Sequence, residues 1–102
     1  MGFFNSLMSK PSNSIDLSAK IQSGVTVVDV RSKAEFNDGH HAKATNIPLD
    51  TLHARIDEIG PKDKGIIVYC ASGARSAMAA RMLKAAGFMD VINAGGLADM
   101  PR

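Results

Sequence analysis

A single cysteine, Cys70, stands in a chain of 102 residues. No intrachain disulfide can therefore form, and no second thiol is near enough to complete a CxxC redox pair or a zinc knuckle. What remains is either an inert buried thiol or a reactive one. No apolar stretch approaches the ~18 residues of a transmembrane helix, so no membrane span is expected. The apolar start, Met1-Gly2-Phe3-Phe4-Asn5-Ser6-Leu7-Met8, has no basic region before it and does not read as a signal peptide. The expected compartment is the cytoplasm, where a lone thiol stays reduced. A net charge of +2 without a basic run argues against nucleic acid as a partner. Acidic residues are missing from one long stretch. Between Asp63 and Asp90 there is none, while Lys64, Arg75, Arg81 and Lys84 lie there.

What is present describes one small domain. A hydrophobic content of 45% in 102 residues suffices for a single core. Residues 1–13 read as an N-terminal tail closed by Lys10-Pro11-Ser12-Asn13, and residues 14–102 as one domain without internal repeats. Leu17 and Ile21 mark a short helix stopped at Ser23-Gly24. Val25-Thr26-Val27-Val28-Asp29-Val30 is β-branched and almost wholly apolar, as a strand covered on both faces should be. Ser32 and Glu35 are spaced as a capping box for a helical turn that carries Phe36 inward. Ala44-Thr45-Asn46-Ile47 is a short strand candidate closed by Pro48. Asp50 looks like the N-cap of a helix through Ile59, with Leu52, Ile56 and Ile59 on its inner face. Ile66-Ile67-Val68-Tyr69 reads as a buried strand ending at Cys70, followed by small residues and a helix over Ser76 to Ala86. Gly87 is a C′ residue by position, Val91-Ile92-Asn93 a last strand, and Ala94-Gly95-Gly96 a loop. Alternation of strands and helices predicts an α/β protein with a parallel sheet. In such sheets ligands bind beyond the carboxyl ends of strands, where both Asp29-Val30-Arg31 and Cys70 fall.

The loop after Cys70 carries chemistry. A thiolate is the nucleophilic form of cysteine, and a helix N-terminus or a nearby cation favours it. Ala71, Ser72, Gly73 and Ala74 are small enough for the backbone to curl around the sulfur, and Gly73 can take positive φ. Arg75 is a cation at a helix N-terminus, which is electrostatically misplaced unless it serves an anion. Asp29 and Arg31 read as structural support for the loop. His40 is expected to bond backbone in its turn, since His40, His41 and His53 make a poor zinc set.

Cys70-Ala71-Ser72-Gly73-Ala74-Arg75-Ser76 resembles the active-site loop of the rhodanese sulfurtransferases, C-x-x-G-x-R-S. Val28-Asp29-Val30-Arg31, Glu35-Phe36, Gly39-His40 and Asn46-Ile47-Pro48 resemble the first block of that family, and Gly95-Gly96 its closing glycines. The resemblance implies a rhodanese-like three-layer α/β fold, with a five-stranded parallel central sheet and helices on both faces. It further implies that Cys70 is the nucleophile and becomes a persulfide, held by the loop Ala71, Ser72, Gly73, Ala74, Arg75 and Ser76. No metal or organic cofactor is required by that chemistry. The implied partners are a small sulfur-donor anion, such as thiosulfate, and a thiol or protein sulfur acceptor. Two-domain thiosulfate enzymes of the family carry Arg in place of Glu35 and Lys in place of Ser72. Their absence makes the persulfide a firmer expectation than thiosulfate as its source. A low-turnover sulfur-carrier or regulatory module is the alternative. Cysteine phosphatases and arsenate reductases are less favoured: phosphatases use C-x5-R, and one residue fewer lies between Cys70 and Arg75.

Overall fold

A computed structural model describes residues 17–101 of the chain. The expected tail, residues 1–13, lies outside the described residues. A helix over residues 17–22, α1, is followed by β1 (Thr26–Asp29), α2 (Lys33–Asn37), β2 (Ala44–Asn46) and α3 (Leu49–Leu52). A 3-10 turn (Ile56–Glu58), β3 (Ile66–Cys70), α4 (Ala74–Ala85), β4 (Val91–Gly96) and a second 3-10 turn (Leu97–Asp99) complete it. The strands pair in parallel in the order β2-β1-β3-β4. Among the described residues the sheet has four strands, not the five expected. Each of the four strand candidates legible in the residues is a strand; the fifth came only with the resemblance. No described helix is long and apolar enough to cross a membrane.

All five residues of β3 are buried, as a central strand covered on both faces requires. Their side chains alternate between two layers. Ile66, Val68 and Cys70 join Leu52, Ile59, Ala79, Ala80, Leu83 and Phe88 on the face covered by α3 and α4. Ile67 and Tyr69 join Leu17, Val27 and Met100 on the other, beneath α1 and the C-terminal 3-10 turn. Alanines at 79 and 80 let α4 approach the sheet closely. The helix ends in a Schellman motif: Phe88 N–H donates to Leu83 O at 3.1 Å and Gly87 N–H to Lys84 O at 3.0 Å, with Gly87 at φ 102°.

Three local expectations need correction. The helix from Asp50 to Ile59 is only Leu49–Leu52 followed by a 3-10 turn, and Pro48, not Asp50, is its N-cap. Arg55, at φ −109° and ψ 14°, leaves the helical path, yet Leu52 and Ile59 both stay buried. Apolar spacing thus survives where helical continuity does not. Ala94-Gly95-Gly96 is strand rather than loop. Val68 pairs with Asn93 and Tyr69 with Gly95, so Ala94 is the extra residue of a bulge that Gly95 accommodates at φ 97°. The Ser32–Glu35 capping box forms as expected, but Phe36 is only half-buried and stacks on the His40 ring at 3.6 Å.

Leu83, fully buried between α4 and the sheet, gives the clearest test of this packing. Leu83→Ala is expected to lower unfolding free energy by about 2–5 kcal/mol in urea titration.

Candidate active site

Parallel pairing sets Asp29 of β1 beside Tyr69 of β3, so the chain segments leaving both strands emerge at one edge. Asp29 is wholly buried, where its polar oxygens need hydrogen-bond partners. Arg31 provides them. Its Nε lies 3.1 Å from each carboxylate oxygen, its Nη2 2.7 Å from Oδ2, and its backbone N–H 2.9 Å from Oδ1. The same Nη2 donates to Gly39 O at 2.7 Å, and the guanidinium lies 5.7 Å from the Tyr69 ring centre. Tyr69 Oη in turn accepts from His41 N–H at 3.0 Å. Asn46 Nδ2 donates to the carbonyls of both Asp29 and Arg31 at 3.0 Å. The strand end, the turn after α2 and β2 are thereby held as one unit.

Cys70 is 1% exposed and points to the α4 face. Beyond it the chain makes a short loop, and Gly73, at φ 109°, is the N-cap of α4. A side chain would strain that conformation, and a Cβ there would meet Gly95 Cα at 3.4 Å. The turn aims Gly73 N–H at Cys70 Sγ, 3.0 Å away. Ser76, in the first turn of α4, brings one of the helix's unpaired N–H groups to 3.4 Å and its hydroxyl to 3.3 Å of the sulfur. Gly96 leaves room for this loop, since a Cβ there would overlap the Ala71 carbonyl. Burial pushes the thiol up, but the Ser76 hydroxyl and the N–H groups of Ser76, Gly73 and Ser72 outweigh it. The pKa falls from 9.0 to about 7.

Arg75 reaches not the sulfur but Glu35. Nη1 lies 2.7 Å from Oε1 and Nη2 3.0 Å from Oε2, a bidentate pair. Arg75 and the Ser32 N–H together hold the Glu35 carboxyl at about 2, well below its ordinary range. His40 Nδ1 lies 2.8 Å from Phe36 O, a carbonyl that can only accept, so that nitrogen carries the proton. The structure thus gathers Ser72, Gly73 and Ser76 around the Cys70 sulfur, with Ala71 packed against Gly96 and Ala74 and Arg75 opening the helix. Asp29 and Arg31 bond each other and the turn at Gly39 rather than the loop, and His40 bonds within its own turn. Two residues of the site escaped the sequence reading in these roles. Glu35 was legible as a helix cap and as a departure from the Arg of two-domain relatives, but not as the partner of Arg75. Asn93, whose side chain meets Ser76 at 2.6 Å, showed only as a polar residue closing an apolar run. A cavity of about 770 Å³, lined by Ile21, His41, Lys43, Leu97 and Met100 among others, belongs to the opposite face and does not include Cys70.

Comparison with known proteins matches residues 14–99 to the family model of the Rhodanese-like domain. A sulfurtransferase of Allochromatium vinosum is 39% identical over 72 residues, covering 71% of this chain and 66% of the relative. The putative sulfur carrier protein YrkF of Bacillus subtilis is 39% identical over 69 residues, or 68% of this chain and 37% of that protein. The chain therefore spans less than two thirds of either relative. Among solved structures, a rhodanese with anions from E. coli superposes with a TM-score of 0.71 at 36% identity, covering 76% of this chain and 95% of that one.

Thiolate ultraviolet absorbance, which needs no reagent to reach a buried sulfur, reads the acidity of Cys70 directly. The signal should grow as pH rises through about 7. Ser76→Ala removes the hydroxyl donor and should move the midpoint upward by roughly one pH unit. An unmoved midpoint would mean that the hydroxyl does not stabilise the thiolate.

Proposed function

The chain belongs to the rhodanese-like domain family, and from that premise we propose that it is a sulfurtransferase carrying sulfane sulfur as a persulfide on Cys70. The observation that carries this reading is the set of donors from Gly73 and Ser76 converging on Sγ within 3.4 Å. The thiolate attacks the sulfane sulfur of a donor, a new S–S bond forms, and the donor's own bond to that sulfur breaks. The leaving group (sulfite from thiosulfate, a thiolate from a persulfide) departs with the bonding pair. The terminal sulfur on Cys70 then carries the negative charge into the ring of N–H groups. An acceptor thiolate, protein thiol or cyanide attacks that sulfur and regenerates the Cys70 thiolate. With Cys70 1% exposed, the donor gains access by displacement of the small-residue loop Ala71-Ser72-Gly73. Asp29 and Arg31 hold the turn at Gly39, which His40 fixes through its own bond to Phe36 O.

The Arg75–Glu35 pair bears on the donor. A guanidinium already held by a carboxylate offers little net charge to a dianion such as thiosulfate, so a persulfide donor suits the site better. The same pair, with the likeness to a putative sulfur carrier, supports the second reading, a carrier charged by a protein donor with low turnover of its own.

Intact-mass spectrometry after incubation with thiosulfate, or with a cysteine desulfurase and cysteine, separates these readings. The expected product is a gain of one sulfur atom, removed by cyanide and absent in Cys70→Ser. Charging by both donors supports the enzyme, charging by the desulfurase alone supports the carrier, and no adduct from either sinks the persulfide. Glu35→Gln keeps an acceptor for the Ser32 N–H while freeing the Arg75 charge. It is expected to raise thiosulfate kcat/KM roughly fivefold relative to a persulfide donor in steady-state assays.

A further inference from the structure

The Ser76 hydroxyl is fully buried and has four neighbours: Cys70 Sγ at 3.3 Å, Asn93 Oδ1 at 2.6 Å, Gly73 O at 3.1 Å and Gly95 O at 3.3 Å. A serine hydroxyl holds one proton. Three of those neighbours are carbonyl oxygens, which only accept, so the sulfur is the one group able to give Ser76 a proton. The orientation of the Asn93 amide follows from its other bonds. Gly95 N–H, which can only donate, lies 2.9 Å from Oδ1, and Nδ2 faces the Gly73 carbonyl at 3.3 Å. With Cys70 protonated, S–H donates to Oγ and O–H donates to Asn93 Oδ1, the shortest contact of the four. When the thiol proton leaves to solvent, the sulfur competes for the one remaining hydroxyl proton with the carbonyl oxygens, of which Asn93 Oδ1 is the nearest.

We propose that Asn93 is a positioning residue that sets the acidity of Cys70 by competing with the sulfur for the single hydroxyl proton of Ser76. The amide also ties together the loop at Gly73, the first turn of α4 at Ser76 and the β4 bulge at Gly95. It therefore fixes where the contested proton can point. The ionisable groups at this end of the sheet are Arg75 on α4, Glu35 on α2, Asp29 and Arg31 after β1, and Asp99 after β4. Each has its own partner: Arg75 with Glu35, Arg31 with Asp29, and Asp99 with Gly96 N–H at 2.8 Å. Among the described residues none of them bonds Ser76 or Asn93, so the competition is between neutral groups and the thiolate alone.

The test is the thiolate absorbance profile against pH, which does not depend on sulfur transfer and so fails or succeeds apart from it. Asn93→Ala removes the nearest competitor, leaving only the more distant Gly73 and Gly95 carbonyls, and is expected to lower the Cys70 midpoint by roughly half a pH unit, against the rise that simple loosening of the loop would cause. Asn93→Asp keeps an acceptor for the Gly95 N–H but adds negative charge, and should raise the midpoint. In a Ser76→Ala background, Asn93→Ala should no longer move it, because no proton remains to contest. Asn93 is solvent-exposed, so both variants are expected to fold; thermal unfolding recorded alongside checks this. A rise or no change with Asn93→Ala, or a shift that persists without the Ser76 hydroxyl, overturns the proposal.

Discussion

An ionisable sulfur placed on the core side of a sheet is the constraint on which the rest of this molecule turns. Cys70 shares its layer with Val28, Val30, Ile66, Val68 and Leu83, surroundings that oppose charge. The thiolate is stable there only if hydrogen-bond donors reach it, and backbone N–H groups are the donors available at a strand end. The fold supplies them by closing the distance between β3 and α4 to a loop of three residues. One glycine with positive φ and the unpaired amide of Ser76 in the first helical turn then face the sulfur. Small residues elsewhere answer the same demand. Ala79 and Ala80 bring α4 down onto the sheet, and Gly95 and Gly96 let β4 lie directly against the loop.

Charge at this end of the sheet is arranged in closed pairs. Asp29 and Arg31 neutralise each other in the interior, and Glu35 and Arg75 do so at half-exposed positions. The absence of acids between Asp63 and Asp90 therefore does not create a free cation beside the sulfur, because the acid that meets Arg75 comes from α2. What remains to attract an anion is mainly the set of oriented peptide dipoles. Such a set has short reach and is little screened, so it favours a charge that sits in the loop over one that is steered from a distance.

The strand positions, the helix that follows Cys70 and the loop itself were legible because each rests on local rules. β-branched runs, a capping box, a C′ glycine and a glycine-bearing turn all declare themselves within a few residues. The Arg75–Glu35 pair was not legible, since it joins residues 40 apart that meet only once the sheet has formed. Nor was the bulge at Ala94, because two glycines after an apolar run read equally well as a loop, and pairing with Tyr69 decides the matter. The broken helix after Leu49 shows the reverse case. Its apolar spacing correctly named Leu52 and Ile59 as buried, with Ile56 half-buried, while tertiary packing overrode the continuity that the same spacing suggested.

The donors around Cys70 also fit the proposed cycle through the balance of charge. A resting thiolate and a persulfide each carry one negative charge, displaced outward by one sulfur atom between the two states. Once the loop has closed again over the sulfur, the same N–H groups can serve either state, whereas a mobile cation would have to follow the charge. The one adjustable element is the Ser76 hydroxyl, which can turn its proton toward the sulfur or away to Asn93. A loop whose other donors are backbone N–H groups thus keeps a single rotatable proton next to Cys70 Sγ.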